Sequence, residues 1–373
     1  MAGIYVHIPF CVTRCAYCDF FSTTDVGKKD LYVRALQKEL AMRTDYLPRH
    51  TAVRTIYFGG GTPSLLETDA VDTLLHAISK YYNISDDVEI TLEANPGDLT
   101  ETCLRTLRSL GVNRLSIGIQ SFHDDLLRLM KRRHDAQGAL QCVKLAQTCG
   151  FRNISIDLIY ALPTQTLSQW QTDLRIAAGL GIQHISTYCL SYEPQTQFGK
   201  MLAEGKLKET GDDLANEMYE TGIVELAKAG FRQYEVSNFC LPDFHSRHNS
   251  AYWNNVPYLG IGAGAHSYDG SSRQWNVADL DKYLMGIQTS VLPCEREVLG
   301  RNDLYNERVM LSLRTDQGLL LSDLSQDERT YCLQHAGDDL KRGLLVLKDG
   351  NRLVASLRGM EVLNRIIENL IIV

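Results

Sequence analysis

Cys11, Cys15 and Cys18 stand in a CxxxCxxC arrangement within eight residues, close enough for one tight loop to aim all three sulfurs at a single centre. Soft thiolates select zinc, copper(I) or an iron–sulfur cluster. Structural zinc takes four protein ligands, commonly as two separated pairs, and no second pair follows here, although His7 could complete a set. A 4Fe–4S cube has four irons, commonly all held by cysteines. Asp19 and Phe20 follow Cys18, so no further cysteine extends the loop, and three thiolates would leave one iron open to an exogenous ligand. Three unrelated core thiols are the plain alternative. The other cysteines, Cys103, Cys142, Cys149, Cys189, Cys240, Cys294 and Cys332, read as small buried hydrophobes.

Other polar residues sit where short apolar runs end. The runs are residues 4–8, 55–58, 88–93, 114–119, 153–159 and 184–190, and amphipathic stretches such as 30–43, 70–81 and 167–178 lie between them. Strand–helix–strand repetition of this kind implies parallel pairing with right-handed crossovers. It fits either a barrel-like (β/α) sheet or an open doubly wound sheet. The cysteine loop follows the first run and Gly59-Gly60-Gly61-Thr62-Pro63 the second; Glu93 and Asn95-Pro96-Gly97 close the third, and Gln120-Ser121 the fourth. Asp157 lies in the fifth, and the sixth runs into Tyr192-Glu193-Pro194. In a parallel sheet all strand C-termini share one rim, so these residues are expected to meet there.

Past residue 195 the pattern loosens. A helix is expected over 212–229 and a short strand over 233–236, followed by a loop from 239 to 258 rich in His, Asn and aromatic residues. Within it lies His248-Asn249-Ser250-Ala251-Tyr252-Trp253. Near the end, Asp349-Gly350-Asn351 separates the apolar runs 344–348 and 352–355, a hairpin signal, and a last helix is expected over 360–370. We therefore divide the chain into a core of residues 1–235, a connecting region 236–298 and a small winged-helix-like α+β module 299–373. A net charge of −7 and a pI near 5.8 argue against DNA binding by that module. No apolar run approaches a membrane span, no signal peptide is expected, and ten scattered cysteines suit a reducing cytoplasm.

The cysteine loop after the first strand, joined to the glycine turn after the second, resembles the radical S-adenosylmethionine (SAM) enzymes. Tyr5-Val6-His7-Ile8-Pro9-Phe10-Cys11, Glu93-Ala94-Asn95-Pro96, Ser116-Ile117-Gly118-Ile119-Gln120-Ser121 and Asp157-Leu158-Ile159-Tyr160-Ala161-Leu162-Pro163 resemble the oxygen-independent coproporphyrinogen III oxidase family over essentially the whole chain. The resemblance implies a partial (β/α)6 TIM-like barrel and a 4Fe–4S cluster on Cys11, Cys15 and Cys18. It implies SAM chelated to the open iron and cleaved by an electron from the cluster to a 5′-deoxyadenosyl radical. It also places Tyr5, Tyr17, Gly60, Gly61, Thr62, Glu93, Gln120, Arg132 and Asp157 around SAM. The residue types suit such a ligand. Glu93 and Asp157 accept from ammonium or hydroxyl groups, Gln120 does both, Arg132 holds a carboxylate, and glycine lets backbone approach closely.

Two functions are found in that family. The decarboxylase's loop resembles CxxxCxxCxC, and Phe20 stands at the last position here. The heme-chaperone branch carries HNxxYW, which His248 to Trp253 resembles, with an imidazole for the iron and aromatic rings for the porphyrin face. His245 and His266 are candidates for a second contact, whereas His134 reads as structural. The expected protein binds a 4Fe–4S cluster, SAM and heme, and passes heme to apoproteins. SAM cleavage, fed by a low-potential donor such as flavodoxin or ferredoxin, is left open, and coproporphyrinogen oxidation is the alternative. No nucleic acid is expected as a partner.

Overall fold

Alternation along the early strands gives the sheet two unlike faces. In the computed structural model, which describes residues 1–372, β1 (Ala2–Ile8), β2 (Val53–Gly60), β3 (Ile84–Ala94), β4 (Arg114–Gln120), β5 (Ile154–Tyr160) and β6 (His184–Cys189) pair in parallel in that order. Ile4, Val6 and Ile8, Ile56 and Phe58, and Ile117 and Ile119 join the apolar core formed with the surrounding helices. That layer of helices includes α1 (Lys29–Met42), α2 (Thr68–Tyr81) and α3 (Glu101–Ser109), then α5 (Ala136–Thr148) and α6 (Leu167–Gly179), while α4 (Asp124–Leu129) packs in a smaller cluster with Ala16 and Phe198. The intervening residues fill the inside of the curved sheet and are largely polar or aromatic: Tyr5, His7, Thr55, Tyr57, Glu93, Arg114, Ser116, Asp157 and His184. Strand order decides the architecture. A doubly wound sheet reverses direction at a switch point, whereas here β1 to β6 are neighbours in space as they are in sequence, as in a barrel.

The barrel is partial: β1 and β6 do not pair with each other, and further strands extend the sheet beyond both. After α7 (Gln197–Ala203) and α8 (Asp212–Lys228), β7 (Arg232–Glu235) and β8 (Asn238–Cys240) add beside β6. On the other edge β9 (Tyr258–Ile261) pairs parallel with β1, and β10 (His266–Tyr268), β11 (Ser272–Asn276) and β12 (Cys294–Val298) continue outward. The segment 236–298 is thus part of the barrel sheet on both sides, not a connector between units. The stretch 239–258, expected as a loop, contains a seven-residue helix, α9 (Arg247–Trp253).

A buried ion pair ties the β9 edge to the first helix. The Arg43 guanidinium donates to Glu39 at 3.4 Å, to the Gly260 carbonyl at 2.8 Å, and to Ser267 and Gln274, each at 3.2 Å. Glu39 also accepts from the Gly262 amide, Asn276 and Tyr283. A Cβ on Gly260 would lie 1.9 Å from the His266 carbonyl oxygen, so glycine at 260 permits this close packing.

Residues beyond β12 have their own apolar core, including Val309, Leu319, Cys332, Leu353 and Ile366. Helices Arg301–Ser312 and Gln326–Lys341 pack with a three-stranded antiparallel sheet of Leu319–Leu320, Leu345–Lys348 and Arg352–Ala355, the expected hairpin being its last two strands. The last helix is broken into Leu357–Met360 and Leu363–Leu370. No helix among the described residues is long and apolar enough to cross a membrane.

Candidate functional site

The cysteine loop leaves the C-terminal end of β1 and is held by backbone bonds rather than by secondary structure. Cys11 donates its amide to the Thr23 carbonyl at 2.9 Å, and Thr23 returns a bond to the Pro9 carbonyl at 2.7 Å. Ala16, between the second and third cysteines, donates to the Met130 carbonyl and accepts from the Phe198 amide, so the loop is fastened to the α4 and α7 regions. Two donors aim at its sulfurs: Thr62 Oγ1 lies 3.5 Å from Cys11 Sγ, and Arg132 Nη1 lies 3.3 Å from Cys15 Sγ. Donors so placed suit anionic thiolate sulfurs. Burial raises the Cys11 thiol and pushes Cys18 up to about 11, so these two sulfurs become thiolates only against a positive centre. All ten cysteines are unpaired. No group of three or more His, Cys, Asp or Glu side chains among the described residues is drawn together as a single-ion site, and His7 is not free to complete one. Its Nε2 bonds the Phe21 carbonyl at 2.9 Å, its Nδ1 bonds Tyr5 Oη at 3.1 Å, and burial lowers its pKa to about 4.

The loop roofs a cavity of about 530 Å³ at the rim, within the range of small-molecule sites. Cys11, Cys15, Cys18, Tyr17, Gly60, Gly61, Thr62, Glu93, Gln120, Arg132 and Asp157 all line it. Of the residues expected around SAM only Tyr5 does not; it sits one layer deeper, stacked on Tyr57 at 6.1 Å between ring centroids. The glycine turn is shaped by packing first: Gly60 has φ +113°, and a Cβ on Gly61 would lie 2.8–2.9 Å from the Pro9 and Phe10 backbone. Side chains there would push the turn away from the cysteine loop.

Glu93 accepts from Tyr57 Oη at 2.7 Å and from the Gly60 amide at 3.1 Å. Burial nevertheless raises its carboxyl to about 7, with the Asp157 charge adding to the shift. Asp157, bonded by Ser116 at 3.4 Å, is raised too, chiefly by burial. Gln120 is held at φ +75°, a left-handed conformation uncommon outside glycine, at the end of β4. Arg132 donates to the Gly118 carbonyl, and its Nε has no partner among the described residues. Two raised carboxyls, an incompletely bonded guanidinium and three thiols around one cavity fit a cluster bearing a zwitterionic ligand.

The opposite end of the barrel is closed by α9. The Glu89 carboxylate, at the foot of β3, accepts from the Arg247 amide at 3.2 Å and the His248 amide at 3.1 Å, and Ser246 caps the Asn249 amide. His248 enters the barrel and is 2% exposed. Its Nδ1 bonds Thr55 Oγ1 at 2.8 Å and its Nε2 bonds Tyr252 Oη at 2.8 Å, while the ring stacks on Tyr57 at 4.9 Å. Burial, reinforced by Arg114, lowers its pKa to about 3, so the ring is neutral. His248 and Tyr252 thus face the barrel interior with both imidazole nitrogens engaged, and Trp253 faces a separate groove. The structure does not bring the three together on one open surface. His134 is buried, with its Nε2 bonded to the Ile119 carbonyl at 3.0 Å and its Nδ1 without a partner among the described residues.

Several residues of the site carry no motif in the sequence. Arg114, 1% exposed, opens β4 in the middle of the barrel with its Nε unpartnered among the described residues, and its charge favours ionisation of both Glu93 and Asp157. Tyr57 bonds Glu93, and Asn95, Tyr188 and Glu193 reach the cavity wall. The signal available for Arg114 is a cation starting a strongly apolar strand; for Tyr57 it is an alternate position on β2, two residues before Gly59.

The profile of the radical SAM superfamily matches residues 5–177. The chain is 35% identical to the heme chaperone HemW of Lactococcus lactis, covering 99% of this chain and 97% of that protein. It is 33% identical to the mitochondrial radical S-adenosyl methionine domain-containing protein 1 of Danio rerio, covering 100% and 87%. Among solved structures, the coproporphyrinogen III oxidase HemN of Escherichia coli superposes with a TM-score of 0.85 at 26% identity, covering 99% of this chain and 89% of that one.

Proposed function

The chain belongs to the radical SAM superfamily and, within it, to the family of the heme chaperone HemW, and from that premise we propose that it carries heme to apoproteins. In this reading Cys11, Cys15 and Cys18 hold a 4Fe–4S cluster. Arg132 takes the carboxylate of SAM, Glu93 and Asp157 accept from its ammonium or ribose hydroxyls, and Gln120 and Tyr17 complete the wall. When bound, such a cluster supplies an electron and one open iron position. The residues around it do the rest: Thr62 and Arg132 steady the sulfurs, the glycine turn keeps its backbone close, and the Glu93 carboxyl gives up its proton to receive a cation. Heme is placed near α9, with Trp253 against the porphyrin.

The observation that carries the choice between carrier and decarboxylase is position 20. Phe20, 69% exposed beside the cluster cavity, stands where the decarboxylase's loop has its further cysteine. The likeness in fold to the oxidase HemN favours the second reading, coproporphyrinogen III decarboxylation. One experiment separates them. Anaerobically reconstituted protein is given coproporphyrinogen III, SAM and reductant, and in parallel is titrated with hemin and mixed with an apo-hemoprotein. The carrier reading expects hemin binding and transfer without protoporphyrinogen; sustained decarboxylation without heme transfer would replace it. A reducing cytoplasm, supported by ten unpaired cysteines, and an electron donor of the flavodoxin or ferredoxin kind complete the proposal.

A further inference from the structure

Outside the barrel floor lies a second cavity, of about 420 Å³, between the feet of β1 and β2, α9, and residues 315–317 of the C-terminal module. It is separate from the rim site: no residue lines both. Its walls combine three kinds of chemistry. Ala251, Trp253 and Val256 supply an apolar and aromatic surface from α9 and the turn after it. Arg54 and Arg247 supply cations; Arg247 pairs with Asp87 at 3.2 Å, and Arg54 makes no ion pair among the described residues. His245 supplies an exposed imidazole, held edge-on against Tyr234 with ring centroids 4.6 Å apart, and neither ring nitrogen has a hydrogen-bond partner among the described residues. Asp316 is the carboxylate on the wall.

We propose that this groove is the heme seat, with His245 giving an axial nitrogen to the iron, Trp253 lying against the macrocycle, and Arg54 and Arg247 facing the propionates. The inference rests on the heme-carrier reading and names its ligand residue. A flat apolar ligand with two carboxylates and a metal that takes imidazole matches the wall, whereas an anion alone would leave the Trp253 surface without purpose. His248 is three residues away but closed off: coordination there would break its bond to Tyr252 and open the barrel floor. His245 needs no such rearrangement, and coordination only adds a bond from a free ring nitrogen to iron. The groove is walled by both the barrel and the C-terminal module, so a bound porphyrin touches both.

The test is titration of the full-length, cluster-reconstituted protein with hemin, followed by difference spectra in the Soret region. Parallel titrations use metal-free protoporphyrin IX. His245→Ala is expected to weaken hemin by about tenfold or more, while protoporphyrin IX, which needs no axial ligand, binds within about twofold of wild type. His245→Cys is expected to shift the Soret band toward that of a thiolate-ligated iron, and surface His76→Ala to change nothing. His248→Gln, which can keep the floor's hydrogen bonds, is expected to retain hemin. Unchanged hemin binding and spectrum in His245→Ala would overturn the proposal. So would equal weakening of hemin and protoporphyrin IX, or loss of hemin in His248→Gln with His245→Ala intact. Failure of wild-type protein to bind hemin would instead reject the heme-carrier reading itself.

Discussion

The rim and the floor of this barrel are built from the same strands and the same alternation, yet they treat buried polar groups in opposite ways. At the floor the groups close on each other: Glu89 on two amides of α9, His248 on Thr55 and Tyr252, and His184 on Ser155 and Tyr234. Both histidines are held neutral by burial. At the rim the groups are left less settled: Glu93 and Asp157 have raised carboxyls despite their hydrogen bonds, Arg132 lacks a bond at Nε, and three unpaired thiols line one cavity. Buried polar groups without partners cost free energy, so a fold keeps them where a ligand completes them. On the proposed reading the floor's polar groups serve stability and the rim's serve binding, with Arg114 buried between the layers.

That division can be broken by mutation. The largest effect is expected from Glu89→Ala, which strands the buried His248 amide and the part-buried Arg247 amide and should cost about 3 kcal/mol in urea unfolding, while the folded fraction keeps its iron and its SAM affinity. His248→Leu leaves the Thr55 and Tyr252 hydroxyls unpaired and should cost about 2 kcal/mol, again without loss of SAM binding. If either floor variant weakened SAM while leaving unfolding unchanged, the division would be wrong.

Glu93→Gln should act in the opposite sense. The folded protein holds the Glu93 proton up to about 7, whereas the unfolded chain loses it near 4.5. Its contribution to stability is therefore complete below 4.5 and falls away as pH rises through 7. At pH 8 the ligand-free Gln variant should be more stable than wild type by about 2 kcal/mol, a value discounted for solvent entering at the cavity mouth, with no gain below pH 4.5. Its SAM affinity should fall about tenfold, the loss of a charged hydrogen bond. The smallest effect is the pH dependence of wild-type binding. Calorimetry should find SAM weaker by up to about tenfold at pH 6 than at pH 8, levelling off above 7, with protons released on binding. A pH-independent affinity would show that Glu93 does not receive the ligand's cation.

How legible these regions are in the sequence follows from how local their signals are. The cysteine loop, the glycine turn and the strand ends can be read because each is a short stretch, and parallel pairing brings strand ends together without further information. The floor cannot. The N-terminus of α9 is held by Glu89, 158 residues before Arg247 in the chain, so within 239–258 only the capping Ser246 and the His248/Tyr252 pair at i, i+4 announce a helix. HNSAYW reads as one heme-facing surface because residue types do not reveal direction. In a helix of seven residues His248 and Tyr252 share a face, whereas Trp253 is turned from it. Segment 236–298 reads as a connector because its strands are short and pair with β1 and β6, far away in sequence. Tyr5 belongs to the SAM wall only by resemblance; its depth depends on the stacking of Tyr57 beneath Gly59.

Three thiols on one loop holding an iron–sulfur cube with an open corner form the centre of this picture. Iron and acid-labile sulfide should be measured together on anaerobically reconstituted wild-type protein and on Cys11→Ser/Cys15→Ser/Cys18→Ser. About four of each per wild-type chain are expected, and almost none in the triple variant. Zinc without sulfide in the wild type, or undiminished iron and sulfide in the variant, would contradict it.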